Sequence, residues 1–228
     1  MGREDVYLKP HLKGLNRIHI IGGPGSGKST LARRLGAQIG APVYELDKIA
    51  FEGPNFARRP LSVRQTEVEW IASQPTWIVE GMFLGWTDPL LQAADLIIWL
   101  DCVHWSRAAS RIVVRFSRGG IEEARRQVGL KKISRIRDYA RNLGLLIRVL
   151  QSSRVYYTLN RNNAAFSEFA ESRMATEQHL SSYEYKVIRC RRARDLDLLL
   201  EQIEKDCAKQ YGERLPKDLN LDSKLNSV

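Results

Sequence analysis

The chain has 228 residues, a formal net charge of +10 and an ordinary apolar share of 43%. That is enough chain to bury a proper core, and no apolar run approaches membrane-spanning length. Three cysteines (Cys102, Cys190, Cys207) are too few and too scattered for a disulfide framework or a zinc site, so a reducing cytoplasm is the expected compartment. Met1–Leu15 mixes charged and apolar residues and lacks a signal-peptide apolar region.

Short β-like and longer helical runs alternate, which predicts an α/β fold with a parallel sheet. The first strand, Arg17–Ile21, runs into Gly22-Gly23-Pro24-Gly25-Ser26-Gly27-Lys28-Ser29-Thr30, and a helix-like run follows from Ser29 to Ile39. Gly22, Gly27, Lys28 and Ser29 satisfy the phosphate-loop pattern G-x-x-x-x-G-K-[ST] in the strand–loop–helix context it needs. Glycines let successive N–H groups turn inward, and the helix start adds unpaired donors and partial positive charge. Lys28 is expected on the β- and γ-phosphates of ATP and Ser29 on Mg²⁺.

Further strands are predicted over Val43–Leu46, Trp77–Glu80, Asp95–Leu100 and Tyr185–Cys190. An acid closes or follows three of them: Asp47, Glu80 and Asp101. Parallel strands put their carboxyl ends on the side where ligands of open α/β sheets bind. Asp47 is therefore a candidate to accept a hydroxyl proton from a phosphoryl acceptor. Its alternative is a helix cap. Glu80 and Asp101 compete for the metal, and the spacing does not separate them; either is also readable as a plain strand-end acid.

Helices are expected at Leu61–Ser73, with Ser62 and Gln65 as a capping box, and at Pro89–Ala93, opened by Thr87-Asp88. Another is expected over Val103–Phe116, stopped by Gly119-Gly120. A basic, helix-rich segment follows, placed at 119–180. From Trp105 to Arg161 there are fourteen Lys or Arg against three acids. Arg107, Arg111 and Arg115 share one helical face, suited to neutralising a transferring phosphoryl group, or else a solvated basic face. Arg118 and later arginines, with Gly119-Gly120 and Gly129 as flexible points, are read as a lid. Arg191 and Arg192 are placed beside the adenine, and the four histidines are read as structural or solvent-facing. One domain is expected over 17–208, with a flexible tail over 209–228.

These motifs together resemble the adenylate-kinase-like P-loop proteins, and within them the DNA topology modulation family. The likeness is carried by the phosphate loop, Leu46-Asp47, Trp77–Gly81 and Ala94–Asp101 with the arginine-bearing helix behind it. It spans roughly Arg17 to Glu201. The resemblance implies five parallel strands, a substrate-side helical pair and a lid. It also implies Glu80 as a Mg²⁺-holding acid and Arg107 and Arg111 as phosphate contacts. The chain departs from the pattern at Phe51 and Phe56, where tryptophans are usual, and at Gly81-Met82-Phe83. Both departures fall on the acceptor side. The expected activity is transfer of the γ-phosphoryl group of ATP·Mg²⁺ to a small acceptor, with catalytic candidates Lys28, Asp47, Arg107 and Arg111. The alternative is an ATP-dependent nucleic-acid-associated protein or polynucleotide kinase gripping a backbone through the basic segment. No membrane partner is expected, and the oligomeric state is left open.

Overall fold

The computed structural model describes residues 15–53, 57–126, 132–158 and 172–214. Its strands, in chain order, are β1 (Arg17–Gly22), β2 (Val43–Glu45), β3 (Phe51–Glu52), β4 (Ala57–Arg58), β5 (Trp77–Glu80), β6 (Leu96–Leu100) and β7 (Val187–Cys190). The α-helices are α1 (Lys28–Ile39), α2 (Leu46–Ala50), α3 (Leu61–Ser73), α4 (Asp88–Ala93), α5 (Trp105–Arg126), α6 (Lys132–Thr158), α7 (Arg173–Leu180) and α8 (Ala193–Arg214). Five strands form one parallel sheet in the order β2-β5-β1-β6-β7, while β3 and β4 pair separately as an antiparallel ribbon.

The apolar runs of β1, β5 and β6 are buried on both faces, as expected of central parallel strands. Their side chains alternate between two cores. Ile18, Ile20, Ile78, Ile98 and Leu100 face Leu31 and Leu35 of α1 and Leu199 and Ile203 of α8. Ile21, Trp77, Val79, Ile97 and Trp99 face Leu46 and Ile49 of α2, Val68 and Ile71 of α3, and Leu90 and Leu91 of α4. Each such fully buried side chain contributes roughly 1.5–3 kcal/mol. The result is a three-layer α/β P-loop fold, with the phosphate loop leaving the carboxyl end of the central strand.

Several boundaries differ from the sequence reading. Leu46 opens α2 rather than closing β2, so Asp47 stands in the first turn of a helix. Tyr185 and Lys186 belong to a 3₁₀ turn, Ser181–Lys186, because Lys186 Nζ reaches the Gln92 and Ala94 carbonyls at the end of α4 (2.8 and 3.0 Å). The Ser62–Gln65 capping box does not form: Pro60 is the N-cap of α3 and its carbonyl accepts from Arg64 N–H. Helix α5 runs through Gly119-Gly120 to Arg126. Two glycines cost about 1 kcal/mol each in a helix, and the good helix formers Glu122 to Arg126 continue it. Helix α8 is described to Arg214. Phe56, Gly129 and residues 215–228 lie outside the described residues. The β3–β4 ribbon had no sequence counterpart. No helix among the described residues is long and apolar enough to cross a membrane.

Candidate functional site

The phosphate loop is shaped by what its carbonyls bind. Gly23 O accepts from Ser26 N–H and Lys28 Nζ, both at 3.1 Å. Pro24 O accepts from the Tyr157 hydroxyl (2.9 Å). Gly25 O and Ser26 O accept from Arg111 Nη1 (3.2 and 3.4 Å). Four successive carbonyls are thus held by protein donors. Among the described residues none accepts the N–H of Gly25, Gly27 or Ser29, and these remain to face an anion. Gly25 has to be glycine: its φ is +76°, and a Cβ would lie 2.8 Å from the Ala108 carbonyl of α5. Gly27, at φ +104°, caps α1: its carbonyl accepts from the N–H groups of Thr30 and Leu31 (3.1 and 3.0 Å), and Lys28 and Ser29 open the helix at the loop.

Ser29 Oγ donates to Glu80 Oε1 at 2.7 Å, joining the start of α1 to the end of β5. Glu80 is 5% exposed. Burial raises its pKa above the ordinary carboxylate range, against the Ser29 hydrogen bond and the Lys28 charge, which lower it; the charges of Asp47 and Glu45 push further upward. A hydroxyl and a carboxylate side by side at a phosphate loop form the hard oxygen donor set that Mg²⁺ takes.

Asp101 is placed otherwise. Its Oδ1 lies 2.7 Å from Arg173 Nε, and its Oδ2 accepts from Arg173 Nη2 and Arg189 Nε, both at 2.8 Å. The Arg189 guanidinium stacks on Trp99 at 3.9 Å and also pairs with Glu177 at 2.5 Å. Asp101 therefore ties α7 and β7 to the end of β6. Asp47 is exposed on α2, near enough to Glu80 for its charge to be felt there. Arg111 lies over the loop, whereas Arg107 is exposed. Arg191 and Arg192 donate their backbone N–H groups to Asp195, which fastens the turn into α8. His19 is fully buried in β1, where desolvation lowers its pKa to about 4.

Sequence reasoning missed the contribution of α6. Tyr156 and Tyr157 both pack on the loop, beside Gly23 and Pro24. Tyr156 belongs to the core beside Trp99, whose Nε1 donates to its hydroxyl (3.3 Å). The only sequence signal is an aromatic pair at the end of a basic helix, which does not say what it packs on.

No family model matches the chain, and no curated protein does. Similar solved structures include a gluconokinase from Sinorhizobium meliloti 1021, 15% identical, covering 88% of this chain and 96% of that one at a TM-score of 0.42. A shikimate kinase from Bacteroides thetaiotaomicron is 12% identical over 87% of this chain and 98% of that one, with a TM-score of 0.36. A shikimate kinase from Acinetobacter baumannii, solved with shikimate, is 16% identical over 77% and 97%, with a TM-score of 0.34. Likeness at this level carries no functional weight; the loop's own atoms do.

Proposed function

We propose that this chain is an ATP-dependent phosphotransferase of the adenylate-kinase-like kind, passing the γ-phosphoryl group of ATP to a hydroxyl of a small acceptor. The observation that carries the reading is the 2.7 Å contact of Ser29 with Glu80 beside a phosphate loop whose carbonyls are turned away. The loop N–H groups and Lys28 bind the phosphates. Ser29 and Glu80 would hold Mg²⁺, while Asp101 is engaged by two arginines. When bound, the metal neutralises charge on the β- and γ-phosphate oxygens. Asp47, on the same side of the sheet as Glu80, takes the acceptor's hydroxyl proton. Arg111, with Arg107 one turn before it, balances charge on the transferring group. The narrower likeness to the DNA topology modulation family is supported by the Leu46-Asp47 and Glu80-Gly81 motifs. The nucleic-acid alternative loses two of its stacking surfaces, because Tyr156 and Tyr157 face the loop.

Calorimetry with ATP·Mg²⁺ tests the reading. The native chain should bind, and Lys28→Ala should weaken binding about a hundredfold or more while the melting temperature holds, since a charge-assisted contact to phosphate is lost. No association of the native chain with any purine triphosphate would overturn it. A screen of nucleosides, nucleotides, sugars and 5′-hydroxyl oligonucleotides with labelled ATP identifies the acceptor.

A further inference from the structure

We infer that Tyr157 is a positioning residue of the phosphate loop, aiming a loop N–H at the bound phosphates through the carbonyl it holds. The inference rests on the nucleotide-binding reading above. The Tyr157 hydroxyl donates to Pro24 O at 2.9 Å. That carbonyl and the Gly25 N–H belong to one planar trans peptide, in which C=O and N–H point in opposite directions. Fixing Pro24 O toward α6 therefore turns the Gly25 N–H away from α6. Arg111 does the same two residues on: by holding Ser26 O (3.4 Å) it turns the Gly27 N–H away. Two helices outside the motif thus orient two of its donors.

The tyrosine is itself held in place. Its ring lies 4.9 Å from that of Tyr156, edge to face, and 6.1 Å from Trp105 of α5. Burial keeps the Tyr157 phenol protonated and able to donate at any ordinary pH. The Tyr156 ring is fixed by core packing and by the Trp99 hydrogen bond. The fit also explains Gly23. A Cβ there would lie 2.4 Å from the Tyr156 ring and 2.6 Å from the Tyr157 hydroxyl. Gly23 does not have the left-handed backbone of Gly25 and Gly27. It is glycine because α6 occupies the space, not because a phosphate must approach.

Tyr157→Phe keeps the ring and removes only the hydroxyl. Titrations of the full chain with ATP·Mg²⁺ and with adenosine, alongside thermal melts, separate positioning from support. The triphosphate should bind about fivefold more weakly, the scale of one neutral hydrogen bond. Adenosine affinity and the melting temperature should stay as in the native chain. Triphosphate affinity equal to native would overturn the inference and leave the nucleotide reading standing. An equal loss for adenosine, or a loss matched by a fall in melting temperature, would also overturn it, since either marks general support. A native chain that binds no triphosphate would overturn both.

Discussion

The ends of β5 and β6 look alike in sequence and differ in what surrounds them. Each closes an apolar strand with an acid, and each lies on the ligand side of the sheet. Glu80 meets a hydroxyl and, close by, the Lys28 charge. Asp101 meets two guanidinium groups. The fold disfavours the charge on Glu80, whose pKa it raises, whereas it surrounds Asp101 with counter-charge. A strand-end carboxylate kept against its own desolvation is what a metal site requires. A carboxylate compensated by arginines is what a structural tie requires.

Substitution should part the two acids most clearly through stability. Asp101→Asn removes the charge between Arg173 and Arg189, of which Arg189 is only 17% exposed and would be left partly buried without that partner. Arg189 keeps Glu177 and Arg173 is 46% exposed, so the loss should be about 1.5–3 kcal/mol, the scale of a hydrogen bond to a charged group. Urea unfolding should show that loss, while the Mg²⁺ dependence of ATP binding stays unchanged. A variant as stable as the native chain, or one with weakened Mg²⁺ dependence, would erase the distinction between the acids.

The complementary change is Glu80→Gln. It should lower Mg²⁺ affinity in the presence of ATP by about 10–100-fold, the usual cost of losing a residue that holds a metal or its water. Stability should hold or rise slightly, because a buried carboxylate with a raised pKa is traded for a neutral amide. Titrating Mg²⁺ against a fixed ATP concentration measures the first, and urea unfolding the second. Native Mg²⁺ affinity in this variant would take the metal away from Glu80.

What could be read from sequence follows the same division. The phosphate loop was legible because its pattern is contiguous and its strand and helix flank it directly. Glu80 and Asp101 were both legible as strand ends, but the arginines around Asp101 were not. The arginines that claim Asp101 stand 72 and 88 residues further along the chain, and nothing local announces them. The tyrosines of α6 were hidden the same way: Tyr157 reaches Pro24 across 133 residues. Gly119-Gly120 misled because glycine is a weak helix breaker inside a strongly amphipathic run. The ribbon of β3 and β4 escaped because two-residue strands leave no periodicity to read.

His19 gives a third answer to burying a titratable group, on the strand between the two acids. In register it pairs with Val79 of β5 and Ile97 of β6, so no acid or hydroxyl stands opposite it in the sheet. Burial keeps it unprotonated: desolvation lowers its pKa from 6.5 to about 4. The unfolded chain then binds a proton that the folded chain refuses between those values. Stability from this group is fully present above pH 6.5 and is lost as pH falls toward 4. Between pH 7 and pH 5 the loss amounts to about 2 kcal/mol. His19→Leu keeps an apolar side chain of similar size in β1 and removes the titration. Urea unfolding at both pH values should show the native chain weakening on acidification by about 2 kcal/mol more than the variant. Parallel pH dependences in the two proteins would mean that the imidazole accepts its proton inside the sheet, and that burial alone does not decide the charge of a group in this core.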